Sequence, residues 1–344
     1  MADLEGKKIL ILTGDLFLHK KVFDYLKDSG ALVDVLENKL RHNLRTSGLD
    51  IRGLLFFIPT ILNNNKYLKQ YLRFVYHKSY DLFITFNNCE SALPLIGVLK
   101  KNNPKIKTII YFEDSFCTWD YSYQIKYFDR CFTFDKKDAD KYSIKYLPWF
   151  IIDDIKDRNK KTYKYDICFI GSTNQYYPYR LPVLNYLYNK ALKNGANPFI
   201  KCFSSIFRTP VKSKLILLLS CYKKSIRILF HQIHKYKKSG ILINKKIPFS
   251  MIKEIEADSK CIVDINMERQ GISPRIISAL ANGKKVIINN KYIKEEPFYS
   301  PCNIWVIDNK NPYFDFGFLE KKCDVLDMDA YKIGNWVTSL LNMK

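Results

Sequence analysis

One pattern occurs twice, far apart in the chain: KKILILTG at residues 7–14 and YDICFIGS at 165–172. Each is a short apolar run that ends in a glycine turn and leads into a segment with helical spacing. A run without polar alternation fits a strand covered on both faces, and such strands belong to parallel sheets wrapped by helices. The chain is thereby restricted to an α/β protein that begins its winding twice. After the first start come a helix over LFLHKKVFDYLKDSG (16–30) and strands ALVDVLE (31–37), YDLFITFN (80–87), KTIIYFED (107–114), RCFTFD (130–135) and IKYLPWF (144–150). A helix from about Glu90 to Lys101 and a short one after RCFTFD separate them. After the second start come a helix from about Pro178 to Lys193, strand PFIKCFSS (198–205), strand GILINKK (240–246) and a helix over Ser250 to Ser259. KCIVDIN (260–266), a helix ending at Gly283, Val286 to Ile288 and NIWVID (303–308) complete the series.

Two such series in 344 residues predict two domains. A Rossmann-like N-terminal domain is expected over 1–155 and a Rossmann-like C-terminal domain over 156–326, with a cleft between them. The C-terminal segment, 327–344, holds a helix from about Asp327 to Asn342 that is expected to cross back to the first domain. IIDDIKDRNKKTYK (151–164), charged after its first residues, reads as the linker. The second series is interrupted by an insertion over 208–240. Within VKSKLILLLSCYKKSIRILFHQIHKYKK (211–238), apolar residues recur at 211, 215, 218, 222, 226, 229, 233 and 236, making one helical stripe flanked by lysines. A basic amphipathic helix fits an anionic membrane surface. The same stripe also fits a helix packed on the protein's own core, and both readings are open.

Charge narrows the partners. The net charge is +22, and no Asp or Glu occurs from Ile167 to Lys253. Nucleic acid, an anionic membrane face and phosphorylated small molecules are the three classes such a field attracts. No nucleic-acid motif is present, and the aromatic residues lie inside apparent strands and helices, so no nucleic acid is expected as partner. Nine cysteines, scattered singly without a CxxC pair, read as reduced buried thiols of a cytosolic protein. MADLEGKKILIL does not read as a signal peptide, and runs such as LLFFIPTIL (54–62) are too short to span a bilayer. No metal-ligand spacing, Walker A loop or GxGxxG occurs, so no metal site is expected, nor an NTPase or a nicotinamide enzyme.

The stretch RQGISPRIISALANGKKVIINN (269–290) places a charged, glycine-bearing helix start between two buried strands. A helix beginning near Ile272 leaves backbone N–H groups of Gly271, Ile272 and Ser273 without helical partners, with the positive end of the helix dipole behind them. That is an anion site in outline. Pro274 near the first turn costs little there.

The region from Lys246 onward, KIPFSMIKEIEADSKCIVDINMERQGISPRIISALANGKKVIINN, resembles the donor half of GT-B glycosyltransferases. Ile247-Pro248, Cys261 to Ile265, Gly271, Ala279, Ala281, Gly283 and Val286 to Ile288 fall in step with that pattern without a gap. YFDRCFTFDKKDADKYSIKYLPWF (127–150) is similar to the end of the first domain in bacterial sugar transferases for lipopolysaccharide and capsule, relatives of the CgeB-like group. The resemblance implies a nucleotide-sugar donor and no further cofactor. The nucleotide is open among UDP, GDP, dTDP, ADP and CMP, with UDP the common choice. Arg275 is then placed for a bidentate contact to the diphosphate. The family's two glutamates correspond to Gln270 and Ser278, which suit sugar and ribose hydroxyls but carry no charge. Gly171 and Ser172 correspond to a glycine turn facing the donor phosphates, with Arg180 and Lys201 as neighbouring bases.

The catalytic base is expected from the first domain, where strand C-terminal ends line the crevice. Asp15, then Asp114 and Glu113, are the candidates, with His19 one turn beyond Asp15 able to serve instead. Asp15 is equally placed to cap a helix. The function implied is transfer of a sugar to a lipopolysaccharide core, O-antigen or capsule acceptor, lipid-linked or on lipid A-core. The enzyme would be cytoplasmic and peripheral on the inner membrane face, where helix 211–238 would meet anionic lipid. The alternatives are a non-catalytic GT-B-like subunit and a basic nucleic-acid-binding protein.

Overall fold

The computed structural model describes residues 4–14, 19–38, 66–87, 92–117, 120–152, 162–173, 177, 179–204, 224–266 and 271–341. The chain divides into two units: Met1–Ile152 together with Asp329–Lys344, and Asp153–Met328.

In the first unit the order is β1 (Lys8–Thr13), α1 (Lys20–Asp28), β2 (Leu32–Glu37), a helix α2 over 66–75, β3 (Leu82–Phe86), α3 (Ala92–Asn102), β4 (Lys107–Phe112), β5 (Arg130–Thr133), α4 (Lys136–Tyr142) and β6 (Lys145–Tyr146). The strands form one parallel sheet in the order β2-β1-β3-β4-β5-β6. Ile9 to Leu12 of β1 are fully buried, as their unbroken apolar run requires. Leu10 and Leu12 share a core with Phe83, Ile110, Leu95 and Leu99. The winding reverses beside β1, so the crevice of this sheet opens at the C-terminal ends of β1 and β3.

The second unit repeats the plan: β7 (Tyr165–Ser172), α5 (Arg180–Lys193), β8 (Pro198–Phe203), α6 (Lys224–Tyr236), β9 (Leu242–Ile243), α7 (Phe249–Ala257), β10 (Ser259–Asp264), α8 (Pro274–Ala281), β11 (Lys285–Ile288) and β12 (Ile304–Val306). Its parallel sheet runs β12-β11-β10-β7-β8-β9, and the reversal falls between β7 and β10. Gly283 ends α8 with φ +70°, a left-handed turn that lets the Lys284 amide return to Ala279 O at 3.0 Å.

The last helix of the chain, α9 (Ile333–Leu341), belongs to the first unit. Trp336 is 1% exposed and donates its indole N–H to Pro148 O at 2.8 Å. Its ring packs on Tyr111 and Phe150, with centroids 5.1 and 4.9 Å away.

Several elements are shorter than their sequence patterns. Only Lys145–Tyr146 of IKYLPWF pairs as strand, because Pro148 has no N–H to give a ladder. Over its described part, α6, helix 211–238 follows the core-facing reading and not the membrane-facing one. Leu229 and Ile233 of α6 are buried in the core of the second unit with Leu184 and Leu187, and Tyr236 packs against the same core. The apolar stripe over this half faces the protein, so it is not available to a bilayer. Residues 211–223 lie outside the described part.

Candidate functional site

At the reversal of the second sheet, Arg180 joins the ends of β7 and β10. It is 6% exposed. Its Nε donates to Ile265 O at 2.6 Å, Nη1 donates to Ser172 O, and Nη2 donates to Asn266 Oδ1 at 2.9 Å. The guanidinium lies 3.5 Å from the centroid of the Tyr177 ring. Burial lowers its pKa from the ordinary arginine value. Arg180 is therefore a staple under the crevice, with three of its five N–H donors committed to protein acceptors.

Asp264 ends β10 and is 5% exposed. Its Oδ2 accepts from Asn266 Nδ2 and from Ser273 Oγ, both at 2.6 Å. Asn289 locks the same strand end, accepting from Asn266 N at 2.9 Å and donating to Asn266 O at 2.7 Å. Ser273 stands at the N-cap of α8 with Pro274 in the first turn, but its hydroxyl bonds Asp264 instead of capping. The Ile276 and Ile277 amides bond Ser273 O. Among the described residues no acceptor is bonded to the amides of Ile272, Ser273 or Arg275. Ile272 is buried, and Ser273, Pro274 and Arg275 are partly exposed, so an anion approaching this tip meets Ser273 and Arg275 first. Aligned peptide dipoles place about half a positive charge there.

The expected ligand contacts divide. Gly271, Ile272 and Ser273 gather at the α8 tip, where the helix begins at Pro274, two residues beyond Ile272. Gly171 and Ser172 close β7 on the other side of the reversal, where Ser172 O receives Arg180. The Arg275 side chain is drawn elsewhere: its Nε pairs with Glu256 Oε1 of α7 at 3.0 Å, a partly buried ion pair. Ser278 is 2% exposed, so its hydroxyl is not presented for a ribose. Lys201 donates to Gly240 O at 2.8 Å and lines a separate groove with Lys164 and Lys245. Gln270 lies outside the described residues.

In the first unit the crevice holds a different cluster. His19 is 1% exposed and stacks on Phe86 with centroids 3.8 Å apart. Its Nδ1 meets Thr13 Oγ1 at 2.6 Å, and its Nε2 meets Glu113 Oε1. With Glu113 ionised, Nε2–H donates to it, and in the neutral ring Nδ1 accepts from the Thr13 hydroxyl. Glu113 is the member that reaches the surface, its side chain 13% exposed against 1% for His19. Asn87 fixes the turn that carries it. At φ 55°, a left-handed conformation, Asn87 accepts through Oδ1 from the amides of Glu113 at 2.8 Å and Asp114 at 3.1 Å. Its Nδ2 donates to Asp114 Oδ2 at 3.1 Å. Strained backbone held by several bonds is a mark of functional turns. Asp114 is thus tied to Asn87, and Asp15 lies outside the described residues. Asn87 and Asp264 were not singled out by the sequence; the only hint of either is a polar residue at a strand end.

No protein-family model and no curated protein matches the sequence. Solved structures do match in shape. A glycosyltransferase from Rickettsia africae ESF-5 has TM-score 0.53 at 13% identity, covering 98% of this chain and 100% of that one. The apo form of the lipopolysaccharide outer core galactosyltransferase WaaB has TM-score 0.52 at 11% identity over the same shares, 98% and 100%. UDP-GlcNAc 2-epimerase from Methanocaldococcus jannaschii, solved in complex with UDP-GlcNAc and UDP, has TM-score 0.51 at 10% identity, again over 98% and 100%. The chain has the two-domain Rossmann-like fold of GT-B glycosyltransferases along nearly its whole length. An epimerase among these neighbours leaves the activity to be argued from the site.

Proposed function

We propose that the protein is a glycosyltransferase that takes a sugar from a nucleotide-sugar donor. The observation that supports this reading is the α8 tip: amides of Ser273 and Arg275 without acceptors among the described residues, beside the part-buried Asp264–Ser273 pair, at the reversal of a parallel sheet. Those amides suit a diphosphate, and a neighbour of this fold was solved with UDP-GlcNAc and UDP. Glu113 serves as the base, oriented by His19 and Asn87. An acceptor hydroxyl attacks the anomeric carbon, its proton passes to Glu113, and the bond from that carbon to the diphosphate oxygen breaks. Helix dipole and amides balance the charge on the departing diphosphate, so the reaction is metal-independent. Single displacement inverts the anomeric centre. The acceptor class is a lipid-linked or lipid A-core glycan at the inner membrane face, a reading supported by the net charge of +22. Among the described residues no helix is long and apolar enough to cross a membrane.

The test is a calorimetric titration of the protein with UDP, GDP, dTDP, ADP and CMP, followed by NMR of the anomeric linkage in any product formed from the matching donor. Binding of one nucleotide and an inverted linkage are expected. Failure to bind any of them would mark a non-catalytic subunit.

A further inference from the structure

α7 is nine residues long, and none of its residues is buried. Phe249 and Met251 in its first turn are each 48% exposed. A helix of a doubly wound domain ordinarily buries one stripe on its sheet, whereas this one leaves apolar surface exposed. Beside it, against the edge strand β9 and its neighbour β8, lies an open groove of about 850 Å³. Its lining is apolar at Tyr165, Phe199, Ile243, Met251 and Ile255. The same lining carries Lys164, Lys201, Lys237, Lys245 and Lys246 against Glu254 and Asp258 among the described residues. The ammonium of Lys253 sits 5.3 Å from the Phe249 ring centroid, adding a cation to the exposed aromatic rim.

We infer that this groove and the first turn of α7 form the membrane-docking face of the protein, taking an anionic phospholipid with its phosphate among the lysines and its acyl region over the apolar lining. Charge complementarity sets the occupant: five lysines against two acids repel a basic segment and attract an anionic one. The exposed Phe249 and Met251 set its amphiphilic character, since a free phosphate has no use for them. The face differs from the stripe of α6, which the core of the second unit already occupies. The inference extends the membrane-side placement proposed above, and its test does not need the transfer reaction.

The experiment is sedimentation of the full-length protein with phosphatidylcholine vesicles, with and without phosphatidylglycerol, at near-physiological salt. Unchanged thermal unfolding confirms that each variant folds. Binding that requires phosphatidylglycerol is expected. Lys237→Gln/Lys245→Gln/Lys246→Gln should weaken it about a hundredfold, since each basic residue near an anionic surface is worth roughly a fivefold factor. The charge-neutral pair Phe249→Ser/Met251→Ser should weaken it about tenfold. A control of equal charge on the first unit, Lys66→Gln/Lys69→Gln/Lys101→Gln, should stay within about threefold of the parent. Parent-like binding by either groove variant, or an equal loss in the control, would overturn the inference. So would displacement from vesicles by inorganic phosphate or by RNA at matched ionic strength, which would make the groove a phosphate or nucleic-acid site.

Discussion

Arg180 and Glu113 carry opposite duties. Arg180 has three protein acceptors and almost no exposure, so it holds the end of β7 to the end of β10. Lysine offers one compact ammonium in place of a planar fork and cannot reach all three. Arg180→Lys should therefore lower stability by about 2–3 kcal/mol, read from the midpoint of denaturant unfolding. An unchanged midpoint would show that the bonds are not made in solution. Glu113 is bonded to a buried imidazole yet reaches the surface. Glu113→Gln keeps the shape and removes the base, so turnover should fall by about a hundredfold or more with nucleotide affinity within about twofold. Equal losses in both would place Glu113 in donor binding. The buried thiols give a third prediction. Burial pushes Cys131, Cys168 and Cys202 up to about 12. Below the ordinary thiol range both folded and unfolded chains keep these protons; above it only the unfolded chain releases them. Their contribution is fully present at neutral pH and lost as pH rises toward 12, by roughly 1.4 kcal/mol per thiol per pH unit. At pH 8, a thiol-exchange reagent should label the exposed Cys117 at once and these three only after urea is added.

At the scale of elements the sequence was most informative where a run was apolar on both faces. KKILILTG, KTIIYFED and YDICFIGS all became central or near-central parallel strands, the last with its bounds unchanged and the others within two residues of theirs. Periodicity could not place partners. Arg180 reads as a base at a helix start, but two of its three acceptors lie 85 and 86 residues along the chain. The His19–Glu113 pair spans 94 residues, and nothing local in either segment announces it. Arg275 had the right charge at the right helix end, and only the approach of α7 shows that Glu256 claims it. The stripe of helix 211–238 has the spacing that a bilayer or a core would equally demand; packing of Leu229 and Ile233 decides for the core. The closing helix α9 makes a clean test of element packing. Trp336 is fully enclosed by Tyr111, Phe150 and Pro148, so Trp336→Ala should cost about 3–5 kcal/mol in unfolding free energy. A loss under about 1 kcal/mol would mean that α9 is not seated on the first unit as described.

For the whole molecule, two sheets wound on one plan each place polar groups at their reversal, and the two groups differ in kind. One is a carboxylate braced by imidazole and asparagine. The other is a helix tip whose amides face no protein acceptor among the described residues. Proton removal needs the first and a departing diphosphate needs the second. The tip is the more decisive, because without a docked diphosphate the carboxylate has no reaction to serve. The direct measurement follows the backbone ¹⁵N–¹H signals of Ser273 and Arg275 while UDP or another nucleoside diphosphate is added. Saturable shifts centred on these two amides, and absent when the free nucleoside is added instead, are the predicted result. Nucleoside diphosphate binding that leaves both unmoved would contradict it.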